Sequence, residues 1–160
     1  VYAMSKYLGE ANSAHVLNLR CSIIGPSPVR KRGLFEWFLK QPQGGSVEGY
    51  SDSAWCGVTT KQYADLCRLI IEEDLFDTAR ADSGVLHFCP NEMVSKYALL
   101  CLFRDLFRPD IVVHSRNSPA GPVNRTLASE HPFLKEKFVA QGGIGRALKD
   151  LKESARDLIS

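Results

Sequence analysis

Two residues at the start of the chain have the types and the spacing for redox chemistry at a carbonyl. Tyr2 and Lys6 stand four apart in the stretch YAMSK, so on a helix they share one face. At roughly 100° per residue that face lies opposite the apolar positions Met4, Tyr7, Leu8 and Ala11. A phenol ordinarily titrates near pH 10, roughly three units above neutrality, and is then a poor acid or base. An ammonium one turn away favours the phenolate, so the tyrosine passes a proton to or from a carbonyl oxygen while hydride moves at carbon. By spacing alone a solvated helix face is the default reading, and only the surrounding segments distinguish the two.

Those segments read as an alternation of helix, strand and loop, the order of an α/β fold. Residues 2–14 are expected to be helical, followed by a strand over 16–19 and a turn-rich stretch over 21–33. A short aromatic helix over 34–39 ends at the break of 42–45, and 47–50 reads as a strand. Residues 55–60 resemble a strand feeding a helix, where Thr59 and Gln62 have the spacing of a capping box. That helix is expected to bury Tyr63, Leu66, Cys67, Ile70 and Ile71. A strand over 85–88 and a helix capped by Ser95 come next, the helix carrying Leu99, Leu102, Phe103 and Leu106. A strand over 111–114, a loop over 115–122 and two terminal helices complete the chain, the last marked by Ile144, Leu148, Leu151, Ala155 and Leu158.

With 160 residues, 44% of them apolar and 24% charged, the chain has enough material for one globular domain. A net charge of +2, with Arg30, Lys31 and Arg32 as the longest like-charged run, points to neither nucleic acid nor an acidic membrane. The longest apolar run, 97–103, falls far short of the roughly 20 residues of a membrane-spanning helix. Five scattered cysteines without a CxxC pair suit a reducing compartment, so the cytoplasm is the expected location. The four histidines show no metal-ligand spacing and read as structural. Without a GxSxG elbow a serine hydrolase is discarded. Trp37 and Trp55 read as core or contact residues. The glycines of 142–145 read as a break between helices, because no buried strand precedes them.

Taken together, YAMSKYLGE, VLNLRCSIIGP, GLFEWFLKQ and VEGYSDSAWCGVTT resemble the extended short-chain dehydrogenases/reductases, in particular the reductases similar to dTDP-4-dehydrorhamnose reductase. The resemblance implies the C-terminal part of an NAD(P)-binding Rossmann fold plus a small α/β substrate-binding domain. Residues 1–33 would end the Rossmann domain, and 34–160 would be mainly substrate-binding, with segments returning to the first. Tyr2 would be the proton donor and acceptor, and Lys6 would hold the nicotinamide ribose of NADP or NAD. Ser22, Ile23 and Ile24 match a loop that passes the nicotinamide end, although a plain turn on Gly25 and Pro26 reads equally well. Arg125 is similar to a family position near the substrate diphosphate, where a guanidinium suits phosphate oxygens, and a surface arginine is the competing reading.

The implied activity is NAD(P)H-dependent reduction of a 4-keto nucleotide sugar. An epimerase or dehydratase on the same scaffold is the second reading, and a non-catalytic nucleotide- or protein-binding relative the third. The family's Gly-rich pyrophosphate turn and its upstream Ser or Thr would precede Val1, so the chain reads as a piece that needs an N-terminal Rossmann half as partner. Its first strand, apolar on both faces, would then lack neighbours, and self-association through residues 1–24, as a homodimer or larger, is expected.

Overall fold

The three longest helices form where apolar residues recur at spacings of three and four, and two of them, over 60–72 and 96–107, start behind a side-chain cap. The computed structural model describes residues 1–27, 29, 31–81, 84–129, 131–138 and 142–155, and only the backbone of 2, 3, 135 and 136. In chain order the elements are α1 (Tyr2–Leu8), β1 (Asn18–Arg20), β2 (Ile23–Ile24), α2 (Leu34–Leu39), β3 (Ser46–Tyr50), β4 (Ser53–Trp55), β5 (Val58–Thr59) and α3 (Thr60–Glu72). They continue with α4 (Phe76–Arg80), β6 (Val85–His87), β7 (Val94–Ser95), α5 (Lys96–Phe107), β8 (Val112–Arg116), β9 (Val123–Arg125), α6 (Pro132–Lys137) and α7 (Gly143–Ser154).

Parallel pairing dominates. β1 pairs with β6, β2 with β5 and β3 with β8, all parallel, while β4 lies between antiparallel β7 and parallel β9. Parallel neighbours need crossovers, and the connections contain helices: α3 and α4 lie between β1 and β6 in sequence, α2 between β2 and β5, and α5 between β3 and β8. The result is the mixed α/β fold with parallel strand pairs that the sequence leads one to expect.

Two apolar cores form. The larger joins α2, α5 and α7 to β3 and β8, with Phe35 and Phe103 edge to face at 5.2 Å and Phe38 tilted against Phe103 at 5.7 Å. The smaller gathers Leu66 and Ile70 of α3, Leu86 of β6, and Phe133 and Leu134 of α6, with Leu17 and Leu19 beside them. The glycines of 142–145 do open a helix, α7, through Gly142 in the left-handed region at φ 79°, and among the described residues the element before it is the helix α6.

Several expectations are corrected. The first helix stops at Leu8 rather than continuing to 14, because Gly9 turns its amide back to the Lys6 carbonyl at 3.2 Å. Beyond it the Asn18 side chain donates to the Ala11 carbonyl and accepts from its amide, and the Arg80 guanidinium donates to the carbonyls of Ser13 and Val16. These distant side chains take the backbone groups that a longer helix would have needed. The first strand shifts to Asn18–Arg20 for the same reason. On α3, Leu66 and Ile70 are buried, but Ile71 is 77% exposed, one residue and hence about 100° round the helix from Ile70. Ile111 is buried just ahead of β8, whose strand runs on to Arg116 through pairing with Tyr50, so the following loop starts later. Arg30 and Leu158 lie outside the described residues.

Candidate functional site

Tyr2 and Lys6 both belong to α1, one turn apart, and the Ser5 amide closes that turn on the Val1 carbonyl at 2.9 Å. The side chain of Tyr2 lies outside what is described. Lys6 is exposed and lines a cleft of about 710 Å³ together with Glu10, Arg20, Cys21, Ser22 and Ile23. Arg20 donates from Nε and Nη2 to Glu10 at 2.6 and 2.7 Å, and this bidentate bond holds the Glu10 carboxyl below its ordinary range. Burial, and next the neighbouring Cys67, push the Cys21 thiol up. That direction favours the thiol over the more nucleophilic thiolate.

Ser22 and Ile23 also line a second cleft, of about 410 Å³, whose further residues include Ile24, Tyr50, Trp55, Lys96 and Arg125. The segment 22–24 thus separates two clefts and faces both. It is firmly held. Ile23 and Ile24 pair with Val58 and Thr59, the Val58 amide donates to the Ser22 carbonyl at 2.8 Å, and Trp55 Nε1 donates to Ser22 Oγ at 2.7 Å. This close approach requires Gly57, where a Cβ would fall 2.1 Å from the Ser22 carbonyl oxygen and 2.3 Å from the Trp55 ring. Ile24 is buried while Ile23 is half exposed.

Behind the segment a buried amide network fixes β5 and the start of α3. Gln62 and Asn91 exchange two amide hydrogen bonds at 2.9 and 3.1 Å, and Asn91 Nδ2 donates to the Gly57 carbonyl at 2.7 Å. The Thr59 to Gln62 capping box is complete, both bonds being 3.1 Å. A fully satisfied network of this kind is rigid, because every buried polar atom would lose a partner if it moved.

Of the residues singled out from sequence, Lys6, Ser22 and Ile23 meet at one cleft, and Ser22, Ile23, Ile24 and Arg125 meet at the other. Arg125 ends β9, parallel to Trp55 of β4, and this pairing carries it to the cleft. Trp55, read from sequence as a core or contact residue, is buried and forms part of the cleft wall. Sequence motifs mark neither Lys96 nor Tyr50. Each sits at an element boundary with no motif around it, so only the fold points to them.

Scans against known family models and against curated proteins find no match. Among solved structures, a dTDP-4-dehydrorhamnose reductase of Clostridium acetobutylicum superposes with a TM-score of 0.57 at 13% identity. The match covers 86% of this chain and 48% of that one. This chain shares its fold. TunA, an NAD-dependent NDP-hexosamine 5,6-dehydratase of tunicamycin biosynthesis, also gives 0.57, at 14% identity over 96% of this chain and 50% of its own. The chain therefore spans about half the length of either structure. What is shared at such identities is the α/β fold with its parallel strand pairs, as the resemblance of the four sequence segments implies.

Proposed function

We propose that the chain is half of an NAD(P)H-dependent reductase of a 4-keto nucleotide sugar, acting together with an N-terminal Rossmann half. The observation that carries this reading is the position of the 22–24 segment between two clefts, with Lys6 on one side and Arg125 on the other. One side suits the nicotinamide end of a dinucleotide and the other the phosphorylated end of a substrate. The reacting carbon would lie where the two clefts approach, at Ser22 and Ile23.

The residues present fit only one end of a dinucleotide. Lys6 and the backbone of 22–24 would hold the nicotinamide ribose, and a bound NADPH or NADH would supply hydride. For the pyrophosphate no fitting turn stands among the described residues, since at Gly143 the Glu92 carboxylate already fills the space where a Cβ would point. Tyr2 would donate the proton to the carbonyl oxygen of the substrate, and the Lys6 ammonium would favour the phenolate left behind. Arg125 would pair with the substrate diphosphate. All five cysteines are free thiols, which supports a cytoplasmic setting. No described helix is long and apolar enough to cross a membrane. Dehydration or epimerisation of a nucleotide sugar is the second reading, because TunA shares the fold over nearly the whole chain.

The test joins the chain to a Rossmann half and follows NADPH oxidation with a 4-keto nucleotide sugar. Tyr2→Phe is expected to lose nearly all turnover while keeping cofactor binding, and Lys6→Met to weaken both. Full turnover by Tyr2→Phe would remove the mechanism.

A further inference from the structure

We infer that Lys96 is a binding residue of the second cleft and that, with Arg125, it forms a two-cation cradle for the diphosphate of a nucleotide ligand. This rests on the proposal that the cleft receives a nucleotide sugar, and it adds the residue that sequence motifs do not mark. Lys96 and Arg125 line the same cleft, and neither side chain makes a hydrogen bond or ion pair with a described residue. By contrast, Arg20, Arg68, Arg104, Arg108, Arg116 and Arg146 each face a carboxylate.

No carboxylate stands among the described lining residues of this cleft. The nearby Asp52 is engaged by the Ser118 amide at 2.8 Å. Two cations facing a concave space without a counter-charge are suited to an anion of about two charges, and the amphipathic faces of Tyr50 and Trp55 to the sugar or base attached to it. Lys96 is also badly placed for the free protein. It opens α5, where the helix dipole is positive, and the first turn has no acidic residue to offset it. The Ala98 amide there is already taken by Ser95 Oγ at 3.1 Å. A cation at the wrong end of a helix, facing an acid-free cleft, is a feature that a bound anion explains.

Calorimetric titration of the chain with UDP and with dTDP tests the proposal. Lys96→Ala is expected to weaken binding about tenfold or more, the loss of one charge-assisted hydrogen bond. Lys96→Arg should retain it, and affinity should fall with added salt. In thermal unfolding without ligand, Lys96→Ala should melt no lower than the wild type, whereas a merely structural lysine would lower the melting temperature. Unchanged affinity in Lys96→Ala, or a wild-type chain that binds neither nucleotide, overturns the cradle. The two readings fail separately. UDP binding needs neither hydride nor Tyr2, so Lys96-dependent binding without turnover would sink the reductase and keep the cradle. Tyr2-dependent turnover with an unchanged KM in Lys96→Ala would do the reverse.

Discussion

The helices α1 and α5 begin from similar amphipathic patterns and end in opposite circumstances. α5 buries Leu99, Leu100 and Phe103 against α2, α7 and β8, so its apolar face is fully used. α1 leaves Met4, Tyr7 and Leu8 at 60, 67 and 74% exposure, and β1 behind it has a single strand partner, β6, among the described residues. The difference shows that an amphipathic pattern specifies a face without supplying what covers it. It also locates the proposed chemistry, since Tyr2 and Lys6 ride on the weakly packed helix while Ser22, Trp55 and the Asn91 network stand on the rigid side. Segments with few buried contacts open first, and they are where a second surface has room to dock.

The comparison is sharpened most by Phe103→Ala. Phe103 is fully buried between Phe35 and Phe38, so truncation should cost about 3–5 kcal/mol, read as a shift of the denaturation midpoint. A loss below roughly 1 kcal/mol would show that this core is far looser than its geometry indicates. The opposite result is expected from replacing Met4, Tyr7 and Leu8 together by serine, which should change stability by only about 0.5 kcal/mol per site or less. The wild-type chain is expected to self-associate through this patch and the side of β1 that pairs with no described strand, and the triple variant to shift toward monomer in light scattering. A monodisperse wild-type monomer with slow amide exchange at residues 18–20 breaks the contrast between the two helices.

The smallest effect concerns the turn that closes the larger core. Asp110 accepts from Arg108 Nε and Nη2 at 2.8 and 2.7 Å and from the Gly44 amide at 3.0 Å, and these bonds, the Arg108 pair foremost, hold its carboxyl far below the usual carboxylate range. With a folded value below the unfolded one, its contribution is fully present above about pH 4 and fades as pH falls further. Because the site is open to solvent, the effect should be small and weaker in salt. Asp110→Asn should flatten the stability profile below pH 4. A profile identical to the wild type would remove Asp110 from that account.

Local signals are legible in the residues themselves. The capping box of Thr59 and Gln62, the Ser95 cap and the helix of 34–39 need only residues within one turn of each other, and they stand where the spacing places them. The end of the first helix is not legible in this way. It depends on Asn18 reaching Ala11, and on Arg80 reaching Ser13 and Val16 from far along the chain.

The same division holds at the site. Residue type and spacing nominate Tyr2 and Lys6, because a one-turn relation is a property of the helix itself, and the segments that follow them in sequence separate that reading from a solvated helix face. That Ser22 should accept from the Trp55 indole, that Gly57 should leave room for it, and that Arg125 and Lys96 should reach one cleft with no acid among its described lining residues are set by strand pairing between remote segments. Such pairings join residues dozens of positions apart, and no short-range spacing encodes which remote backbone lies opposite, so only the folded chain decides them.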